Sequence, residues 1–507
     1  MCLAMQNKKA SWILFVEVGL LIVLLFTYLA IRIYYTINAP FSTIEFILGF
    51  FFLCSEVFIL YHSFFFFIDI LREALYDAEP KRKEPGKDAS VAILVPARHE
   101  PREVVENTLL TCINIAYENK TVYLLDDSSI EKFKQEAREV SKKLGAKIFT
   151  RVGNRGAKAG IVNDILKTLK EKYVVIFDAD QNPMPNFLRT LVPLMEGDDK
   201  LAFIQTPQFY SNGDASPVAM TSHNQQAIFY EYICLGKSLN HAMFCCGTNV
   251  IFRREALQDV GYFDEDTVTE DIATSLRLHA KGWKSMFLYK AYTFGMAPED
   301  LASYFKQQNR WALGTSQLLR KFIHLFFTNI KALKPVQWIE YSISTTYYFI
   351  GWAYFFLMAG PVMYIFFNIK SYNIDPLSYV FTFIPFLVLS NIVFFQGMAR
   401  KSYTRLNMLK VQMLTALSMP VYLSATVIGV LNLDKKGFQV TPKGGATNVP
   451  LKALWPQLLL FSIVIVTLLW GTIRIVFFEF DYMLVINVIW TTLQAFMLSG
   501  LFYFNKK

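Results

Sequence analysis

The chain has 507 residues, 53% of them hydrophobic and 16% aromatic, and its 50 Lys and Arg against 41 Asp and Glu give a net charge of +9. This apolar content excludes an ordinary soluble globule, and its gathering into long runs implies a membrane protein with one polar domain. The basic residues lie beside those runs, where lipid head groups and the positive-inside bias account for them, so nucleic acid is not an expected partner.

Trp12 to Tyr34 and Ile44 to Ile70 each exceed the roughly 20 helical residues that cross a bilayer. The first has a longer apolar core than a signal peptide and no small-residue cleavage pattern after it, so it reads as an anchor. Residues 1–86 are therefore expected to form a transmembrane pair and a linker. From 87 to 322, the short apolar runs Val91 to Val95, Val122 to Leu125, Tyr173 to Phe177, Ala202 to Gln205 and Asn249 to Phe252 alternate with polar helical stretches. That alternation predicts an α/β domain with a mostly parallel sheet.

Ligands gather at the carboxyl ends of such strands, and two of the runs end in acids, at Asp126 and at Asp178. Asp126 and Asp127 are adjacent and should point apart, one toward a ligand and one into the loop; the alternative is a plain strand-ending turn. The Gly-containing run 153–160 opens a helix through Leu169. Its small residues and Lys158 suit either an anion or a flexible basic loop, and its spacing is not that of a P-loop. Asp178 and Asp180, two apart on an extended segment, would project both carboxylates to one side. Such a pair suits Mg2+ or Mn2+, the alternative being a solvated turn.

Thr269 fits a helix N-cap with Glu270 and Asp271 in the first turn, while the functional reading makes Asp271 a general base. Gln307, Arg310 and Trp311 share one helical face. An arginine fork there can clamp phosphate and the indole can stack on a sugar, although Trp also anchors helices at membrane boundaries. Residues 323–400 hold an interfacial segment and the spans Tyr347 to Phe367 and Tyr379 to Phe395. Within 401–450, Arg405 to Asn432 reads as an interfacial amphipathic helix. Residues 451–507 add Leu454 to Val476 and Met483 to Phe504, making about six spans. Lys8, Arg72, Lys81, Arg400, Lys435 and Lys506 then share one side, which should be the cytosol and should hold the polar domain. The six cysteines lack C-x-x-C spacing, as fits a reduced face.

In this order, Asp126-Asp127, Asp178-x-Asp180, Thr269-Glu270-Asp271 and Gln307-x-x-Arg310-Trp311 resemble the processive, membrane-embedded family 2 glycosyltransferases, the cellulose synthase group more than hyaluronan or chitin synthases. Gln205-Thr206-Pro207, the segment Phe244-Cys245-Cys246-Gly247-Thr248 (similar to F-F-C-G-S) and Phe438-x-Val440-Thr441-x-Lys443 (similar to the F-x-V-T-x-K gating loop) extend the resemblance over nearly the whole chain. It implies a GT-A domain inserted among transmembrane helices of the plasma membrane, inverting transfer from a UDP-sugar, UDP-glucose first, and secretion of a β-linked glycan.

By position, the resemblance implies that Glu100, Asp126, Asp127, Lys158, Asp178, Asp180, Gln307 and Arg310 hold the donor, with Asp178 and Asp180 also on Mg2+ or Mn2+. Asp271 would be the base, Trp311, Phe244, Cys246 and Glu270 would meet the acceptor, and Phe438, Val440, Thr441 and Lys443 would close over the nucleotide. Implied partners are the UDP-sugar, the growing glycan, membrane lipid and either an accessory subunit or further copies of the chain. Arg98 departs from the aromatic residue of the family's P-S-Y-N-E-P, only two spans precede the domain, and no stretch after the last helix would hold a cyclic-di-GMP-binding β-barrel. Regulation by that nucleotide is then expected to need another subunit. The competing readings are a synthase of an N-acetylhexosamine polymer, a non-processive transferase acting on a lipid carrier, and a transporter or scaffold with a decayed domain.

Overall fold

The computed structural model describes residues 2–75, 80–86, 89–153, 155–290, 292–433, 448–478 and 480–506. Among them are ten strands: β1 (Val91–Ala97), β2 (Lys120–Asp126), β3 (Lys147–Thr150), β4 (Tyr173–Ile176), β5 (Asn182–Pro183), β6 (Leu201–Gln205), β7 (Phe209–Tyr210), β8 (Val250–Arg253), β9 (Lys284–Phe287) and β10 (Thr293–Gly295). Seven form one sheet in the order β3-β2-β1-β4-β8-β6-β9, and β5, β10 and β7 form a small second sheet. Pairing is parallel throughout the main sheet except along β8, which runs antiparallel to both β4 and β6.

Side chains alternate across a strand, so a strand buried on both faces feeds two cores. Val91, Ile93 and Val95 of β1 enter one core with the helices Arg102–Ile113, Glu131–Leu144 and Phe187–Gly197, while Ala92 and Leu94 enter another with the helix Ala157–Leu166. The five strand runs expected from the sequence are all strands. β3 was not legible because it is a four-residue edge strand with a largely exposed face, and so carries no apolar run.

Among the described residues six helices are long and apolar enough to cross a membrane: Trp12–Ile37, Thr43–Leu75, Pro335–Phe367, Leu377–Arg400, Leu451–Phe477 and Tyr482–Phe504. The third begins twelve residues before the expected Tyr347 because the amphipathic helix Pro335–Thr346 runs into it through a single 3-10 turn. Arg405 to Asn432 is not one amphipathic helix. It forms Arg405–Leu417 and Met419–Leu431, bent by 50°, with Pro420 in the first turn of the second, where its missing N–H costs nothing.

The helix Leu301–Thr328 joins sheet domain and membrane helices. A Cβ on Gly429 would stand 2.6 Å from Ser316 Cβ and 2.7 Å from Leu313 O, so bare glycine backbone lets Met419–Leu431 lie directly on this helix. The Tyr422 hydroxyl adds a hydrogen bond to Gln308 Oε1 at 2.9 Å. A second joint is ionic: Lys237 donates to Glu340 Oε2 at 3.1 Å, and both side chains are almost fully buried. Gly236 beside it presses on Asp69 of the second span.

Candidate active site

The site is built at the carboxyl ends of β1, β2 and β4, on the starts of the helices Ala157–Leu166 and Glu270–Ala280, and on the helix Leu301–Thr328. β4 ends at Ile176, and the next residues fold back, Gln181 N–H donating to Asp178 O at 3.0 Å. Asp178 and Asp180 therefore occupy a turn, not the extended segment expected, and it is the turn that sets their carboxylates. The Asp178 backbone N–H donates to Thr248 Oγ1 at 2.9 Å, its side chain is 40% exposed and accepts from Lys158 Nζ, and Asp180 is buried.

Lys158 stands in the first turn of Ala157–Leu166, a helix whose tight entry needs glycine. Gly156 has φ +62°, and a Cβ on Gly160 would overlap Arg155 O at 1.8 Å. Besides Asp178, Lys158 Nζ donates to Gly247 O at 2.6 Å. Gly247 has φ +82°, and a Cβ there would stand 3.0 Å from Asp271 Oδ2. Lys158, Asp178, Gly247 and Asp271 thus share one corner. The loop carrying Gly247 is braced from both sides: Gln205 accepts from Cys246 N–H and donates to Thr248 O, each at 2.8 Å, and Ser275 Oγ accepts from Cys245 N–H at 2.8 Å.

Glu270 and Asp271 open the helix Glu270–Ala280. Burial, then the neighbouring Glu270 charge, pushes Asp271 up to about 7. Burial also raises Glu270, against the opposing charges of Lys158 and Arg310. Lys158 loses by burial but gains more from Asp178, Glu270 and Asp271, which hold its ammonium above the usual range. A carboxyl tuned near neutrality beside a lysine is the pattern of a general base. Thr269 occupies the N-cap position yet makes no side-chain capping bond, and its buried Oγ1 meets no described partner. Thr269 also lies directly against the helix Leu301–Thr328, since a Cβ on Gly314 would lie 2.5 Å from Thr269 Cγ2 and 2.8 Å from its N.

That contact brings the helix bearing Gln307, Arg310 and Trp311 against the acids. Gln307 meets the Tyr210 hydroxyl, Arg310 is near enough for its charge to act on Tyr210 and Glu270, and Trp311 is half-buried one position on. Asp127 accepts from Arg151 Nε at 2.8 Å and a second guanidinium nitrogen at 3.0 Å, so both its oxygens support the loop. Asp126 is buried, one oxygen accepting from Ser128 N–H at 3.0 Å. Glu100 accepts from the Arg98 N–H. Phe244 is buried, its ring 6.1 Å from that of Phe229, while Cys246 is half-buried with its thiol against Cys234. Phe438, Val440, Thr441 and Lys443 lie outside the described residues. Sequence reasoning did not single out Arg151, Tyr210 or Ser275, which act through contacts that no local motif records.

Among the described residues no group of three or more His, Cys, Asp and Glu is placed to hold a metal ion. Asp178 and Asp180 would then give a cation at most two protein donors and leave the rest of its shell to phosphate and water, a set that suits Mg2+ or Mn2+.

Between the membrane helices lies a cavity of about 490 Å³, lined by Tyr28, Glu56, Tyr354, Tyr372, Trp490 and Gln494 among others. Gln412, Ala416 and Met419 of the bent helix pair also line it, and that pair packs on the helix bearing Gln307 and Arg310.

The domain fold is of GT-A type. It is shared with a mannosyltransferase from Pyrobaculum calidifontis solved with GDP-Man and Mn2+, which superposes at TM-score 0.53 with 16% identity over 76% of this chain and all of that one. Residues 88–314 match the model for glycosyltransferase-like family 2, and residues 258–433 match that for cellulose synthase. The chain carries both domains. It is 28% identical over 430 residues, 83% of its length, to the UDP-forming cellulose synthase catalytic subunit of Pseudomonas fluorescens, and 27% identical over 467 residues, 90% of its length, to the cellulose synthase 1 catalytic subunit of Komagataeibacter xylinus. It spans 57% and 61% of those relatives.

Proposed function

We propose that this protein is a processive, inverting glycosyltransferase that polymerises a β-linked glucan from UDP-glucose on the cytosolic side of the plasma membrane and passes the polymer through its own helices. The observation that carries the reading is mechanical. One helix, Leu301–Thr328, bears Gln307 and Arg310, touches Thr269 through Gly314, and is packed by the bent pair that lines the membrane cavity.

In the proposed reaction Asp271 removes the proton of the acceptor hydroxyl, whose oxygen bonds to the anomeric carbon as the bond to UDP breaks. Arg310 and Lys158 offset charge on the departing diphosphate. A divalent cation held by Asp178 and Asp180 would supply further charge neutralisation there. Asp126 and Glu100 serve the nucleoside end, Trp311 the acceptor sugar, with Glu270 and Cys246 beside it. Asp127 and Phe244 hold the walls in place. The proposed division is 1–86 and 323–507 for membrane and interfacial segments and 87–322 for the catalytic domain.

The test is to incubate purified membranes with a panel of radiolabelled UDP-sugars and digest the product with linkage-specific glycanases. The reading predicts incorporation from UDP-glucose, release by a β-glucanase, and loss of synthesis in excess chelator with recovery on Mg2+ or Mn2+. Incorporation from UDP-N-acetylglucosamine alone, or a label that extracts with lipid, would reject it in favour of the competing transferases.

A further inference from the structure

Tyr210 ends the two-residue strand β7, where Gly295 of β10 pairs with it and Ala219 and Ala297 pack on its ring. A buried phenol needs a partner for its hydroxyl, and this one has two. It donates to Gln226 Oε1 at 3.1 Å and meets the Gln307 side-chain amide. Burial holds the phenol above its ordinary value, so it keeps its single proton. With that proton spent on Gln226, the hydroxyl accepts from Gln307, whose amide nitrogen carries two hydrogens and so retains one for a ligand.

Gln226 is itself fixed. Its Nε2 donates to the Tyr230 hydroxyl at 3.4 Å, and its neighbour Gln225 accepts from the Tyr304 hydroxyl at 2.9 Å and donates to Thr415 Oγ1 at 3.3 Å. The helix Pro217–Ile228 therefore presents Gln226 from an anchored backbone. Asp180 and Arg310 both lie near enough for their charges to act on Tyr210, which puts the hydroxyl at the end of the site that the proposed reaction gives to the diphosphate. Glutamine loses more rotamer freedom on ordering than most side chains. A partner that orders it in advance removes that loss from ligand binding.

We propose that Tyr210 is a positioning residue for the donor: its hydroxyl, oriented by Gln226, holds the Gln307 amide ready for a phosphate oxygen of the diphosphate before the donor arrives. Tyr210 acts through Gln307 and takes no part in the proton transfer to Asp271. This inference rests on the UDP-sugar reading above and on Gln307 as a diphosphate contact.

The experiment is competition binding of UDP and UMP to the full-length protein in detergent with Mg2+, comparing wild type, Tyr210→Phe, Gln307→Ala and the double variant. Phenylalanine keeps the ring against Ala219 and Ala297 and removes only the hydroxyl. Wild type should prefer UDP to UMP. Tyr210→Phe should weaken UDP by roughly threefold to tenfold, what ordering one long side chain costs on binding, and leave UMP, which lacks the outer phosphate, within about twofold. In the Gln307→Ala background the same substitution should change UDP affinity no further, because the side chain it positions is gone. A purely structural Tyr210 would weaken UDP and UMP alike and add its effect to that of Gln307→Ala. Either result, or an unchanged UDP affinity in Tyr210→Phe, overturns the inference. Wild type that binds UDP no more tightly than UMP would instead overturn the diphosphate reading of the site itself.

Discussion

Asp271→Asn separates binding from chemistry. The carboxyl is buried beside Glu270 and pushed up to about 7, so at pH 8 it is ionised and ready to take a proton. Asparagine keeps the size and the polarity and removes the basicity. General base catalysis contributes about 10²- to 10⁴-fold, equivalent to about 3–5.5 kcal/mol of activation free energy. Turnover of UDP-glucose should fall by that factor while UDP affinity stays within about twofold, because Asp178, Lys158 and Arg310 are untouched. Wild-type turnover should rise with pH through about 7 and level off above it, and the variant should lose that limb.

Stability should move the other way. The folded Asp271 holds its proton more tightly than the value of 3.8 for a free side chain, so its stabilising contribution is complete below about pH 4 and is lost as pH rises through about 7. At pH 8 the variant should therefore melt at or above the wild-type temperature, with the advantage shrinking toward pH 4. Near-normal turnover by Asp271→Asn, or an unchanged pH limb, would refute the base assignment.

Two further substitutions probe how the acids are held. Gly314→Ala places a methyl within 2.5 Å of Thr269 Cγ2; it should cost about 1–3 kcal/mol of packing and reduce kcat more than UDP affinity, read by parallel turnover and binding assays. Thr269→Val removes a buried hydroxyl with no described partner, and should leave the melting temperature unchanged or raised; a drop of several degrees would show that the hydroxyl has a partner after all.

The legible part of this fold was the part written in long or repeated patterns. Tyr173 to Phe177 read as a buried strand because it is apolar on both faces, and the membrane helices read as spans by length. At Asp178 a turn stood only as the alternative to an extended segment, because the bond from Gln181 to Asp178 that closes it leaves no trace in composition. Thr269 looked like a cap since residue type marks that position, but its backbone, at φ −106° and ψ 68°, departs from the extended conformation in which a capping hydroxyl reaches back to the helix, and no composition records that. The bend at Ser418 was hidden in an apolar stretch whose average suits one helix. Asp127 falls within a motif segment, yet the Arg151 guanidinium that engages both its oxygens lies twenty-four residues on and leaves no mark in that motif.

In the proposed function, transfer and export occur through one molecule, the site and the membrane cavity being joined by Leu301–Thr328. Purified protein reconstituted into sealed vesicles, with the catalytic side outward and UDP-glucose outside, tests it directly. The polymer should resist added β-glucanase until detergent opens the vesicles. Polymer digested completely without detergent would contradict it.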